Sequence, residues 1–138
     1  MKMLHTAYRV SDLNRSVDFY ARVGFREIGR IVFEDGSMLL MLNLSGDGEV
    51  VTLELAYHPK LDSLEIGKGF SHIVVQVDRL DATLAELTAR GVAFDEMQTP
   101  AGENGPKTSF VHDPDGYRIE LVEWPAGHPD GITRADFV

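Results

Sequence analysis

Residues 4–24, LHTAYRVSDLNRSVDFYARVG, return in outline at residues 71–91, SHIVVQVDRLDATLAELTARG. His5 falls on His72, and the two histidines are 67 positions apart. Few residues are identical, but the polar and apolar roles follow in the same order, which indicates one structural unit used twice. Further pairs at this spacing are Val10 with Val77, Leu13 with Leu80, Val17 with Leu84, Tyr20 with Leu87 and Gly24 with Gly91.

The first copy has the pattern β-α-β-β-β. Residues 4–10 are β-rich, and Ser11 or Asp12 is predicted to cap the following helix by accepting a backbone N–H. Gly24 is predicted to end that helix in a left-handed conformation, where a Cβ would be costly. The helix has an apolar stripe at i, i+4 and i+7, formed by Leu13, Val17 and Tyr20. The further predicted strands are residues 25–33, 38–44 and 50–57.

The second copy predicts the same order of elements. A strand at residues 71–77 precedes a helix that Asp78 or Asp81 would cap and Gly91 would end. The further predicted strands are residues 93–97, 108–112 and 117–123. The repeat units cover about residues 4–57 and 71–124, and residues 125–138 form a C-terminal arm. We therefore expect one α+β domain over residues 1–138, with two tandem units forming a curved mixed sheet.

Bulk composition restricts the function classes. The chain has 138 residues, 43% of them hydrophobic, which is enough for a core without disulfides. A net charge of −9 argues against nucleic-acid and anionic-membrane partners, which require a basic surface. With no cysteine, a metal site must use nitrogen and oxygen ligands. No apolar run is long enough to span a membrane and no signal peptide is recognisable, so the predicted location is the cytoplasm.

Strand alternation places one imidazole and one carboxylate in each copy on the face that the helices do not cover. These residues are His5 and Glu54 in the first copy and His72 and Glu120 in the second. Each Glu lies between two apolar residues, and the two are 66 positions apart. A single His or Glu of this kind is usually structural, but the recurrence of both predicts a shared set of four metal ligands.

This ligand set restricts the ion. Two imidazoles and two carboxylates without a thiolate suit Ni²⁺, Co²⁺, Fe²⁺, Mn²⁺ or Zn²⁺. Four protein ligands with room for water indicate an octahedral site with two open positions. A substrate with two adjacent oxygens would occupy those positions.

The chain resembles glyoxalase I, the lactoylglutathione lyase of the vicinal-oxygen-chelate superfamily. The likeness covers about residues 4–124 and lies in LHT and RV at the start, DL through SVDFY, LEL with Tyr57, GFSHI, and FV with DPDGYRIEL at the end. The resemblance implies a homodimer with active sites between subunits and two ligands from each chain. It also implies Ni²⁺ or Co²⁺ rather than Zn²⁺, and a substrate that is the hemithioacetal of methylglyoxal with glutathione or another thiol.

The resemblance also implies roles for individual residues. Glu120 is the main candidate for the base that moves a proton between adjacent carbons through an enediolate, and Glu54 is the symmetric second candidate. His5 and His72 would be ligands only.

Three further residues are candidates for substrate binding. By resemblance, Arg9 and Lys107 would meet glutathione carboxylates. His58 stands where the family often has Asn, four positions after a Glu ligand, and strand alternation directs it to the same cavity.

Other functions remain open on the same fold. A methylmalonyl-CoA epimerase-like enzyme typically has Gln at the position of Glu54. Ring-cleaving Fe²⁺ dioxygenases and fosfomycin-type thiol transferases use two His and one carboxylate, so a fourth ligand disfavours both. A drug-binding protein of the bleomycin-resistance type would hold no metal, and the four retained ligand types disfavour it.

Overall fold

The computed structural model describes residues 1–61 and 63–137. The chain divides into two compact units. The first comprises Met1–Gly69 with Asp113–Gly116, and the second comprises Phe70–His112 with Tyr117–Val138. Each unit contains the helix and the strands of one copy of the sequence repeat.

The first unit is a four-stranded sheet with one helix. Its elements are β1 (Thr6–Val10), α1 (Leu13–Val23), β2 (Arg26–Val32), β3 (Met38–Asn43) and β4 (Leu53–Tyr57), with a 3-10 turn at Ser45–Asp47. The strand order is β1-β4-β3-β2, with β1 parallel to β4 and the other pairs antiparallel. Alternate residues of β1, β3 and β4 are buried, among them Val10, Leu40 and Leu55, whereas β2 has no buried residue.

The predicted boundaries of α1 are confirmed. The Asp12 carboxylate accepts the N–H of Arg15 at 3.0 Å, which satisfies one of the unpaired donors at the helix start. Gly24 ends the helix with φ 124°, and its N–H donates to the carbonyls of Tyr20 and Ala21. The buried positions are Leu13, Ser16 and Tyr20, so the small Ser16 lies deeper than Val17 of the predicted stripe.

The second unit is a three-stranded sheet with one helix. Its elements are β5 (His72–Gln76), α2 (Leu80–Ala89), β6 (Lys107–His112) and β7 (Arg118–Glu123). The strand order is β5-β7-β6, with β5 parallel to β7 and β6 antiparallel to it. The two mixed sheets and two helices confirm the α+β class.

The strand predicted at residues 93–97 is wrong. Only two isolated bridges form there, Phe94 with Val111 and Gln98 with Thr108. The register slips by one residue between these bridges, as in a β-bulge. The Ser109 hydroxyl fills the gap by donating to the Asp95 carbonyl at 2.7 Å.

The predicted cap of α2 is also wrong, because neither Asp78 nor Asp81 occupies the position. Arg79 is the N-cap and makes no side-chain capping bond. The Glu123 carboxylate on β7 accepts the N–H of Leu80 at 2.6 Å instead. The helix end is as predicted, since Gly91 has φ 73°.

The turn between β6 and β7 belongs to the first unit. The Tyr20 hydroxyl donates to the buried Asp113 carboxylate at 2.9 Å and is also hydrogen-bonded to the Tyr8 hydroxyl. Burial raises the pKa of Tyr20, so the phenol stays protonated as a donor. The Asp115 carboxylate accepts the backbone N–H of Ser11 at 3.1 Å and also the Ser11 hydroxyl.

The C-terminal arm folds back onto β5. The Trp124 ring stacks on His128 with centroids 4.6 Å apart, and His128 contacts Asp136 at 2.8 Å. The Gln76 side chain donates to Asp130 at 2.6 Å and accepts the N–H of Gly131 at 3.0 Å. Within residues 1–61 and 63–137, neither helix has the length and apolar character to cross a bilayer.

Candidate metal centre

The first unit brings His5 and Glu54 together on its open face. Parallel pairing of β1 with β4 sets Ala7 beside Glu54, and His5 lies just before β1. Leu53 and Leu55 are buried on the opposite face, which turns the carboxylate between them outwards. The Nε2 atom of His5 is 2.9 Å from Oε2 of Glu54.

The second unit repeats this arrangement with His72 and Glu120. The Nε2 atom of His72 is 3.0 Å from Oε2 of Glu120. Ile119 and Leu121 are buried on the opposite face of β7. The Nδ1 atom of His72 is 2.7 Å from the Ser71 hydroxyl, whereas the residue before His5 is Leu4, which has no hydroxyl.

The donor sets fit a divalent cation. Two ligands about 2.1 Å from one ion and at right angles to each other are roughly 3 Å apart, which is the separation in both pairs. The side chains are 30% and 16% exposed in the first pair and 28% and 21% in the second, so both pairs are partly desolvated but accessible.

Each pair supplies only two of the four predicted ligands. Across residues 1–61 and 63–137, no group of three or more His, Cys, Asp or Glu side chains is placed to hold a metal ion. Each pair therefore amounts to half of the predicted ligand set.

The structure separates the predicted substrate-binding residues. Arg9 is exposed on the face of Glu54, in register with Ala56. His58 is engaged locally: its Nδ1 accepts the N–H of Lys60 at 3.1 Å, and its Nε2 is 3.6 Å from Asp35.

Lys107 does not join the His72–Glu120 pair. It is in register with Glu123, on the sheet face opposite Glu120, and its amino group is 3.5 Å from the Glu123 carboxylate. Its charge therefore lies on the side of the sheet where α2 begins.

Sequence reasoning missed two residues that contact His72. Ser71 adjoins it in the chain, so a search for hydroxyl neighbours of ligating histidines would have found it. Phe110 contacts it edge-on, with ring centroids 5.4 Å apart and an interplanar angle of 85°. Finding Phe110 requires the register of β6 on β7, which no local pattern supplies.

Known proteins are similar to this chain in sequence and in fold. Residues 2–121 match the family model described as Glyoxalase/Bleomycin resistance protein/Dioxygenase superfamily. The lactoylglutathione lyase of Haemophilus influenzae is 35% identical over 125 residues, which cover 89% of this chain and 93% of that protein. The lactoylglutathione lyase of Escherichia coli O157:H7 is 34% identical over 126 residues, with the same coverage.

Solved structures agree. The trypanothione-dependent glyoxalase I of Leishmania major has a TM-score of 0.73 and 31% identity, and the match covers 89% of this chain and 86% of that one. Glyoxalase I of Zea mays has a TM-score of 0.79 and 25% identity, covering 90% of this chain and 45% of the longer plant chain.

Proposed function

This chain belongs to the Glyoxalase/Bleomycin resistance protein/Dioxygenase superfamily, and we propose that it is a metal-dependent lyase that converts the hemithioacetal of methylglyoxal and a thiol to an S-lactoyl thioester. It is a glyoxalase I-like enzyme, as its lactoylglutathione lyase relatives of nearly equal length support. The observation that carries the proposal is the repeated His–Glu pair, with Nε2 to Oε2 separations of 2.9 and 3.0 Å.

We propose that two chains complete each site. His5 and Glu54 of one chain would share a cation with His72 and Glu120 of the partner subunit. The support is that each pair offers two donors, whereas a catalytic site holds three or four protein ligands. A homodimer with two equivalent sites has the twofold symmetry that this sharing requires.

Glu120 is the proposed base. Its carboxylate would take the proton from the carbon that bears sulfur and hydroxyl, and return it to the neighbouring former carbonyl carbon through an enediolate. Atoms and electrons balance within the substrate, so no oxidant or reductant is needed. When bound, the cation would supply Lewis-acid polarisation of the two vicinal oxygens.

The remaining ligands have supporting roles. His5 and His72 would ligate through Nε2. When Nδ1 of His72 donates to the Ser71 hydroxyl, the Nε2 lone pair is free for the ion. Glu54 is a ligand and the symmetric alternative base.

The metal and the thiol are finer proposals. We propose glutathione as the thiol because the curated relatives are lactoylglutathione lyases. We propose Ni²⁺ or Co²⁺ rather than Zn²⁺ on the family resemblance given above. The Leishmania relative is described as trypanothione-dependent, so the thiol differs among relatives. Arg9 is the proposed contact for a thiol carboxylate in the first unit.

The test is thioester formation followed by ultraviolet absorbance. Protein from which a chelator has removed the metal should show no turnover with methylglyoxal and glutathione. Added Ni²⁺ or Co²⁺ should restore activity better than Zn²⁺. A panel of thiols should show glutathione as the best cosubstrate. If no thiol gives product with any of these ions, the lyase proposal fails and the drug-binding alternative is favoured.

A further inference from the structure

A guanidinium lies beside the His72–Glu120 pair on the open face of the second unit. Arg118 is the first residue of β7 and is in register with His72 on β5. It lies two residues before Glu120, so the two side chains project from the same face of the strand. Neighbouring strands are about 4.8 Å apart, so Arg118 adjoins both members of the pair.

An aromatic ring holds this guanidinium. The Cζ atom of Arg118 lies 4.1 Å from the centre of the Phe110 ring, and the same ring contacts His72 edge-on. A guanidinium stacked on an aromatic face gains a cation–π interaction while its N–H donors remain available in its own plane. The stacking therefore reduces the conformational freedom of Arg118 without using its hydrogen-bond capacity.

Within the part of the chain that the structure describes, no carboxylate is placed to pair with the positive charge of Arg118. Within residues 1–61 and 63–137 it forms no ion pair, because the Glu120 carboxylate is turned towards His72. His112 is in register with Arg118 on the neighbouring strand β6, and its Nε2 atom is 3.0 Å from Oδ2 of Asp95.

We propose that Arg118 binds a carboxylate of the thiol half of the substrate. A planar guanidinium with free N–H donors fits a carboxylate by two parallel charge-assisted hydrogen bonds. This inference deepens the proposed function and rests on it, since the thiol adduct is the ligand. Glutathione carries two such groups, one on its glycyl end and one on its γ-glutamyl end, and the test separates them.

The first experiment measures binding without turnover. Calorimetry would titrate S-methylglutathione, its glycyl ethyl ester and its diethyl ester into the metal-loaded wild type and into Arg118→Gln and Arg118→Lys. Arg79→Gln, which removes an exposed arginine paired with Asp81 in the same unit, is the matched charge control.

Arg118→Gln should weaken binding of the free acid by about 10- to 100-fold, the loss expected for a charge-assisted pair. Arg118→Lys should fall between the two, because it keeps the charge but loses the planar fork. If the wild type and Arg118→Gln bind the glycyl ester equally tightly, Arg118 contacts the glycyl carboxylate. If they bind only the diethyl ester equally tightly, Arg118 contacts the γ-glutamyl carboxylate. Equal weakening for acid and diester, or no weakening of the acid, overturns the inference.

The second experiment separates this inference from the lyase proposal. In steady state, Arg118→Gln should raise KM for the glutathione hemithioacetal by a similar factor and change kcat by less than about 3-fold, because uniform binding is lost. A fall in kcat at constant KM overturns the inference. Absence of wild-type turnover alongside Arg118-dependent binding overturns the lyase proposal alone.

Discussion

The sharing of each active site between two chains predicts a complementation pattern with a defined magnitude. One variant would carry His5→Ala with Glu54→Ala, and the other His72→Ala with Glu120→Ala. These side chains are partly exposed, so both variants should keep their fold and their dimer. Each homodimer lacks half of the ligands at both sites and should be inactive.

The heterodimer of these two variants should regain activity. One of its sites takes the intact first pair from one chain and the intact second pair from the other, while its second site has neither. By twofold symmetry it should show about half the wild-type turnover and about one metal ion per dimer instead of two. Two different affinity tags and co-expression give the heterodimer free of homodimers, and the ultraviolet assay and metal analysis give both quantities.

The matched control places all four substitutions on one chain, paired with a wild-type chain. Shared sites then predict no intact site, because each site receives one damaged half. Sites contained within single chains predict the reverse, with activity in the control and none in the first heterodimer. That reversed pattern would refute the reasoning.

Four other predictions follow from single contacts. Glu120→Gln should lower turnover by about 10²–10⁴-fold while the dimer persists, and near-normal turnover would remove it from the mechanism. Ser71→Ala should weaken metal affinity by about 10-fold in a competition titration against a chelator, with no change in unfolding; unchanged affinity would show that the hydroxyl does not orient the ligating imidazole. Tyr20→Phe should lower the free energy of unfolding in urea by about 1–3 kcal/mol, since the buried Asp113 carboxylate loses one of its donors, and an unchanged midpoint would contradict this. Hydrogen bonding to Asp136 raises the pKa of His128 above its ordinary 6.5. The stabilisation of the arm by this contact is therefore complete below pH 6.5 and is lost as the pH rises through the raised pKa. The pKa of Asp136 is lowered from 3.8, mainly by the Thr133 N–H, so the same contact is also lost in acid, and hydrogen exchange of the arm should be slowest between these limits, with Asp136→Asn as control.

Several features of the site follow from local sequence alone. The repeat predicted two similar units, and the two-residue period of strands predicted that His5 and Glu54, like His72 and Glu120, project from an open face. Both pairs are in contact in the structure. These predictions hold because the side-chain direction in a strand depends on the parity of the residue, which any sequence shows directly.

Three features depend on contacts between residues that are distant in the chain, so local sequence did not predict them. Glu123 caps α2 in place of Asp78 or Asp81, because a strand neighbour brings its carboxylate to the helix start. The slip in register opposite Ser109 removed the strand predicted at residues 93–97. Only the pairing of β6 with β7 shows that Lys107 faces away from Glu120.

The repeated unit and the four candidate ligands could be predicted from the amino-acid sequence, because the 67-residue spacing of the copies and the two-residue alternation of the strands are both visible in it. The neighbours of those ligands depend on how the strands pair. Arg118 and Phe110 lie on different strands, and only the sheet register stacks one on the other beside His72. Register depends on the packing of the whole sheet, and no short stretch of residues specifies it.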